Sequence, residues 1–323
     1  MKVFDAHSDI WSDVTVRRLA GETDVLRRRH MDRLAKGGVE GSIFVIWVDP
    51  PYDTDHMART KDIMASIRAE LDESGAVTVV HSYEEMQRAL AAGEFYVFIG
   101  IEGLAAIGED VGLIDWYYDF GARHASLTWN EGNALATGVK GDPQRGLTDA
   151  GRRAVRKIQE KHMLLDMSHI NEKSFWDVVD IASAPIVATH SNCRALCDVP
   201  RNLTDEQLRA IRDLNGVVGL NAFNLFVDPD PARQDVEHLA RHAAHMIDVM
   251  GIDHVGCGFD FFEFLGQDAM DSMTDSSPST IGLADCSQLP NLFRCFERMG
   301  MSQAEMEKIA FRNFHELLRR TLG

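Results

Sequence analysis

Eight short runs rich in apolar residues, each separated from the next by a longer polar or amphipathic stretch, constrain this chain more than any other feature. They cover residues 2–6, 42–48, 96–101, 125–129, 163–167, 185–189, 217–221 and 254–258. Each is apolar on both parities rather than alternating, the pattern of parallel strands covered on both faces. The stretches between them carry helix signals. Residues 148–162 place Ala150, Ala154 and Ile158 on one face, and 171–182 open on an Asn cap. Residues 204–214 and 302–322 open with Thr-x-x-Gln and Ser-x-x-Glu, and 235–250 form a longer amphipathic segment. Strands alternating with helices predict βαβ units and a parallel sheet. Eight of them predict an α/β fold of the (β/α)8 TIM-barrel type. The 323 residues suit one domain, 1–323, with long loops after strands four and eight, at 131–146 and 264–287. An open dinucleotide-binding sheet is disfavoured, because no G-x-G-x-x-G follows the first strand.

Composition limits the partners. Lys and Arg total 33 against 50 Asp and Glu, a formal charge of -17. Such a chain repels phosphate backbones and anionic lipid, so neither nucleic acid nor a membrane surface is an expected partner. The largest basic run, Arg27-Arg28-Arg29, reads as a solvated helix face. No run approaches the ~20 apolar residues of a membrane span. The sequence opens directly on a strand, without the apolar stretch of a targeting segment. Five cysteines with no C-x-x-C pair are a poor disulfide framework. The expected location is the reducing cytoplasm.

The residues that end the runs carry the chemistry. His7 and Asp9 follow strand one, Glu102 ends strand three, His169 follows strand five, His190 strand six and Asp260 strand eight. In a parallel barrel these ends share the rim where active sites sit. His7 and Asp9, two apart, point to the same side of an extended strand. Three histidines and three carboxylates would be costly to bury together without a cation. Neutral imidazoles with carboxylates suit Zn2+, with Mn2+ or Co2+ as substitutes. The set exceeds the needs of one ion. Two ions about 3.5–4 Å apart, bridged by a carboxylate and a hydroxide, would use all of it, with Glu102 as the natural bridge.

These residues resemble the renal (membrane) dipeptidase family, metallopeptidases of the amidohydrolase superfamily. The likeness runs through Phe4-Asp5-Ala6-His7-Ser8-Asp9, Gly100-Ile101-Glu102-Gly103 and Leu165-Asp166-Met167-Ser168-His169. It continues through His190-Ser191-Asn192 and Pro200-Arg201-Asn202-Leu203, then through Gly251-Ile252-Asp253-His254-Val255-Gly256 to Asp260. The resemblance implies a zinc (β/α)8 barrel that cleaves dipeptides and tolerates a D-residue at the second position. It implies one metal on His7, Asp9 and Glu102 and a second on Glu102, His169 and His190. By the same resemblance Arg201 binds the substrate's terminal carboxylate, and Asp260 takes a proton from the bridging water and passes it to the leaving amine. It also implies a homodimer.

The chain departs from that family in three places. Where the family's dipeptidases often carry Leu-Thr-His at the end of strand four, this chain reads Leu127-Thr128-Trp129-Asn130. Trp129 can donate one N–H but cannot carry a proton. Trp129 and Asn130 remain candidate substrate contacts, and His124 is set aside because of its strand parity. After Asp260 the family's Phe-Asp-Gly is replaced by Phe261-Phe262-Glu263. The renal enzyme's signal peptide and lipid-anchor tail are absent, as expected of a bacterial-type cytosolic member. The leading expectation is a binuclear zinc dipeptidase acting on L-Xaa-L/D-Xaa. Its alternatives are a metal-dependent hydrolase of another small amide, N-acyl amino acid or lactone, and a non-catalytic ligand-binding relative.

Overall fold

The structure, a computed structural model, describes residues 1–266, 269–271 and 279–323. Nine strands form among them: β1 (Val3–Ser8), β2 (Val39–Trp47), β3 (Thr78–Val79), β4 (Tyr96–Glu102), β5 (Ala122–Ser126), β6 (Leu164–Asp166), β7 (Ile186–Val187), β8 (Val218–Leu220) and β9 (Val255–Cys257). Every ladder is parallel. One sheet runs β1-β2-β4-β5-β6-β7 with β3 paired beside β4, and β8-β9 form a second. A single parallel bridge, Ala188 to Val218, links the two. On the far side the backbone N–H of Phe259 donates to Asp5 Oδ1 at 2.8 Å, tying the end of β9 to β1 without a ladder.

All eight anticipated runs overlap a strand, and the two-residue β3 is additional. The largest offset is at β5, expected at 125–129 and found at Ala122–Ser126. Apolar Leu127 and β-branched Thr128 read as strand, but they leave the ladder. The carbonyl of Leu127 accepts from Leu104 N and Asn133 Nδ2 instead.

Burial on both parities has a direct cause. Phe44 and Ile46 of β2 pack toward the helices, whereas Ile43, Val45 and Trp47 join Phe4, Tyr96 and Phe98 in a separate inner cluster. The last helix, Asn313–Leu322, fits Phe314, Leu317 and Leu318 into that cluster. Phe4 packs between Tyr96 and Phe314, with ring centroids 5.9 and 5.7 Å away. The site therefore lies at the opposite, C-terminal ends of the strands. Glycine lets those ends approach: a Cβ on Gly219 or Gly258 would collide with the carbonyl oxygen of Thr189.

The helix signals hold. Thr148, Asn171 and Thr204 each cap a helix through the side chain, the last in a full capping box. The stretch 302–322 is interrupted by a π-helical turn, Lys308–Arg312, and Arg27-Arg28-Arg29 sits on another, Leu26–His30. The loop at 131–146 contains only isolated bridges. Of the second expected long loop, residues 267, 268 and 272–278 lie outside the described residues. All five cysteines are buried and unpaired. Among the described residues no helix is long and apolar enough to cross a membrane.

Candidate active site

Residues 253 positions apart in the chain meet at the strand ends. Glu102, the last residue of β4, turns its two oxygens toward different partners. Oε2 lies 3.6 Å from His7 Nε2, and Oε1 lies 2.9 Å from His169 Nε2 and 3.5 Å from His190 Nε2. Asp9 and Asp260 stand on the His7 side, 3.7 and 3.8 Å from its Nε2. Three overlapping groups have donor atoms close enough to share an ion: Glu102–His169–His190, His7–Asp9–Asp260, and His7–Asp166–His190. His169 and Asp260 adopt positive φ, 68° and 58°, a left-handed backbone uncommon outside glycine.

The donor chemistry fits divalent cations. Both ring nitrogens of His7 and Asp9 Oδ1 are buried with no hydrogen-bond partner, an arrangement that is costly unless something else satisfies them. The other two histidines are tied at Nδ1. His169 Nδ1 meets Asn130 Oδ1 at 2.9 Å, and His190 Nδ1 meets Thr189 Oγ1 at 2.8 Å. An Nδ1–H donated to each oxygen leaves the Nε2 lone pair free, the arrangement that orients imidazole ligands. The Thr189 hydroxyl in turn donates to Asp166 Oδ2. That same oxygen receives His124 Nε2 at 2.9 Å, while Asp166 Oδ1 accepts from Ser168 N and Thr189 N.

Burial and crowding dominate the electrostatics. Burial, reinforced by Asp9 and Glu102 against the opposing effect of His7, pushes the Asp260 carboxyl up to about 8. Burial pulls the His169 imidazole down to about 4, with Arg201 adding to the effect and Glu102 opposing it. Burial of Glu102 is outweighed by His7, His169 and His190, which hold its carboxyl well below the usual range. A bound divalent ion would favour the ionised form of every carboxylate here.

A cavity of about 220 Å³ opens over the cluster. Trp129, Asn130 and Arg201 all line it, beside Asp9, Glu102 and Asp260. Arg201 is buried, its Nη atoms donating to Ser191 Oγ at 3.3 Å and the His190 carbonyl at 3.1 Å, while its Nε has no partner. Among the described residues it forms no ion pair. Trp129 packs on Trp47, ring centroids 5.3 Å apart.

His7, Asp9, Glu102, His169, His190 and Asp260 thus meet in the cluster, Trp129, Asn130 and Arg201 line the cavity above it, and Asn130 also contacts His169. Asn133, another strand-end asparagine that the sequence offers as a substrate contact, instead spends its side chain on Leu127, Leu135 and Ala136. Sequence reasoning passed over Asp166, Thr189 and Trp47 as functional residues. Their signal was position alone, since each lies at or just beyond a strand end. His124, set aside for its parity, reaches the underside of the cluster through Asp166. Asn221 lies between His190 and Asp260, its Nδ2 3.5 Å from the His190 carbonyl oxygen. Its Nδ2 donates to Asp260 Oδ2 at 3.0 Å and so orients that carboxyl.

A parallel α/β sheet carrying histidines and carboxylates at one end is the arrangement of a metal-binding site, and comparison with known proteins supplies the class. Residues 1–321 match the sequence model of the membrane dipeptidase family, peptidase family M19. A solved structure of a dipeptidase AC of family M19 superposes with a TM-score of 0.86 at 30% identity, covering 100% of this chain and 99% of that one. A metallopeptidase from Rhodobacter sphaeroides, solved with a phosphinate mimic of the dipeptide L-Ala-D-Ala, gives 0.84 at 29% identity, covering 99% of each. An uncharacterized protein in the pqqA 5' region of Klebsiella pneumoniae is 38% identical over 228 residues, 68% of this chain and 79% of that one. The chain belongs to the M19 family and is a metallodipeptidase of it.

Proposed function

We propose that the chain is a binuclear zinc dipeptidase, folded as a single (β/α)8 barrel over residues 1–323, that hydrolyses L-Xaa-L/D-Xaa dipeptides. The observation that carries this reading is the division of Glu102. One oxygen faces His7 and the other faces His169 and His190. His7, Asp9 and Glu102 would hold one ion, and Glu102, His169 and His190 the other. When bound, the ions polarise the scissile carbonyl and make water acidic enough to lose a proton near neutral pH.

The chain's own residues do the rest. Arg201, buried without a carboxylate partner, takes the substrate's terminal carboxylate. Asp260, aimed by Asn221, accepts the proton of the attacking water at Oδ1 and returns it to the amine nitrogen as the C–N bond breaks. Trp129 and Trp47 pack together in the cavity wall, and Asn130 fixes His169. The Trp129 indole can donate a hydrogen bond but neither takes up nor gives up a proton near neutral pH, so the proton traffic falls to Asp260.

The test is a dipeptide panel that includes L-Ala-D-Ala, run on protein reconstituted with Zn2+, Mn2+ or Co2+, with and without chelator. Chelator-sensitive cleavage with release of both amino acids supports the reading, and no cleavage by fully loaded protein overturns it. The tryptophan in place of the family's histidine favours one second reading, a hydrolase of N-acyl amino acids or other small amides. That reading gains if Arg201→Ala leaves turnover of such an amide intact.

A further inference from the structure

The cavity is not uniform, and ring contacts divide its wall into two parts. Trp129 stands beside His169, ring centroids 6.2 Å apart, and Trp47 packs on Trp129. The other part surrounds Arg201. The Phe226 ring lies 5.4 Å from the guanidinium carbon, Phe223 lies 4.7 Å from Phe226, and Phe262 lies 5.2 Å from Phe223. Leu225 extends this wall toward solvent, 37% exposed, whereas Phe223 and Phe262 are buried. Two separate segments build it, one following β8 and one following β9.

From this wall we infer that the enzyme selects dipeptides whose C-terminal residue carries a bulky, uncharged apolar side chain. The inference rests on the reading of Arg201 as the carboxylate anchor. A carboxylate held at Arg201 lies one bond from the α-carbon of the C-terminal residue, so that residue's side chain must emerge within reach of the phenylalanines. Among the described residues the ring-linked part of the wall, Phe223, Phe226 and Phe262, together with Leu225, offers no charged or hydrogen-bonding side chain. A leucine or phenylalanine side chain there leaves water for apolar contact. An aspartate or lysine side chain would lose hydration without a partner. Glycine gains nothing.

The experiment is kcat/KM for L-Ala-Xaa on the metal-loaded enzyme, with Xaa as Gly, Ala, Leu, Phe, Asp and Lys, the D- and L-series measured separately. Leu or Phe should exceed Gly by at least about tenfold in one series, with Asp and Lys at or below Gly. Phe262→Ala should reduce the Leu-to-Gly ratio about tenfold, and Phe262→Leu should restore most of it. Leu225→Ala, at the exposed edge where folding is not at stake, should move the ratio in the same direction. Cleavage that is indifferent to Xaa, or that favours Asp or Lys, overturns the inference and leaves the dipeptidase reading standing. Absence of cleavage for every dipeptide overturns both.

Discussion

Thr189→Val separates a metal-positioning role from a packing role at one fully buried side chain. The substitution keeps the branched shape and removes one hydroxyl. That hydroxyl accepts from His190 Nδ1 at 2.8 Å and donates to Asp166 Oδ2. Asp166 keeps His124 and two backbone N–H donors, so its carboxylate stays largely satisfied. His190 loses its only Nδ1 partner in a buried site, which costs about 1–3 kcal/mol. The ring then either turns or changes tautomer, and both outcomes spoil Nε2 as a ligand. Loss of such an outer partner typically weakens metal binding about 10- to 100-fold. Chelator competition on purified protein reads this directly, with a zinc-free melting curve as the control for packing. Affinity within twofold of the parent, with only the melting curve displaced, would refute the reasoning.

Three further outcomes follow. Arg201→Lys keeps the charge but loses the planar fork, and kcat/KM for dipeptides should fall about 10- to 100-fold, chiefly through KM; an unchanged KM would remove Arg201 as anchor. Gly258→Ala drives a Cβ into the backbone oxygen of Thr189, which cannot rotate away, so thermal unfolding should show a loss of about 1–3 kcal/mol or failure to fold. Asp13 accepts from His30 Nε2 at 2.8 Å and Arg17 Nε at 2.7 Å, and although burial alone would raise its carboxyl, these two donors hold it below the usual range. Its contribution is therefore present above the unfolded carboxyl pKa of about 3.9 and is lost as pH falls through the lower folded value. Asp13→Asn should cost about 1–3 kcal/mol at pH 7 and flatten the acid limb of a stability profile; a profile that keeps its slope would contradict this.

The strands were legible because each is buried on both faces, which removes polar positions from both parities and leaves compact apolar runs. Tyr96–Glu102, where Phe98 faces the inner cluster and Val97 and Ile99 face the helices, is the plainest case. Thr78–Val79 escaped notice because two half-buried residues carry no pattern. The candidate ligands were legible because they are histidines and carboxylates that end those apolar runs, at the C-terminal ends of parallel strands. Asp166 and Thr189 were not singled out, since their role depends on β6 and β7 lying side by side. A pairing of residues 23 positions apart has no local spelling in the sequence. His124, set aside as a replacement for the strand-four histidine, is not among the residues lining the cavity and bonds Asp166 instead.

The central claim is that Glu102 joins two metal sites, and metal stoichiometry tests it most directly. Protein stripped with chelator, reconstituted with zinc and desalted should carry two equivalents per chain by elemental analysis. Glu102→Ala should retain less than one, since both ions lose a shared ligand. One tightly held equivalent in the parent, or two retained by the variant, would contradict the account.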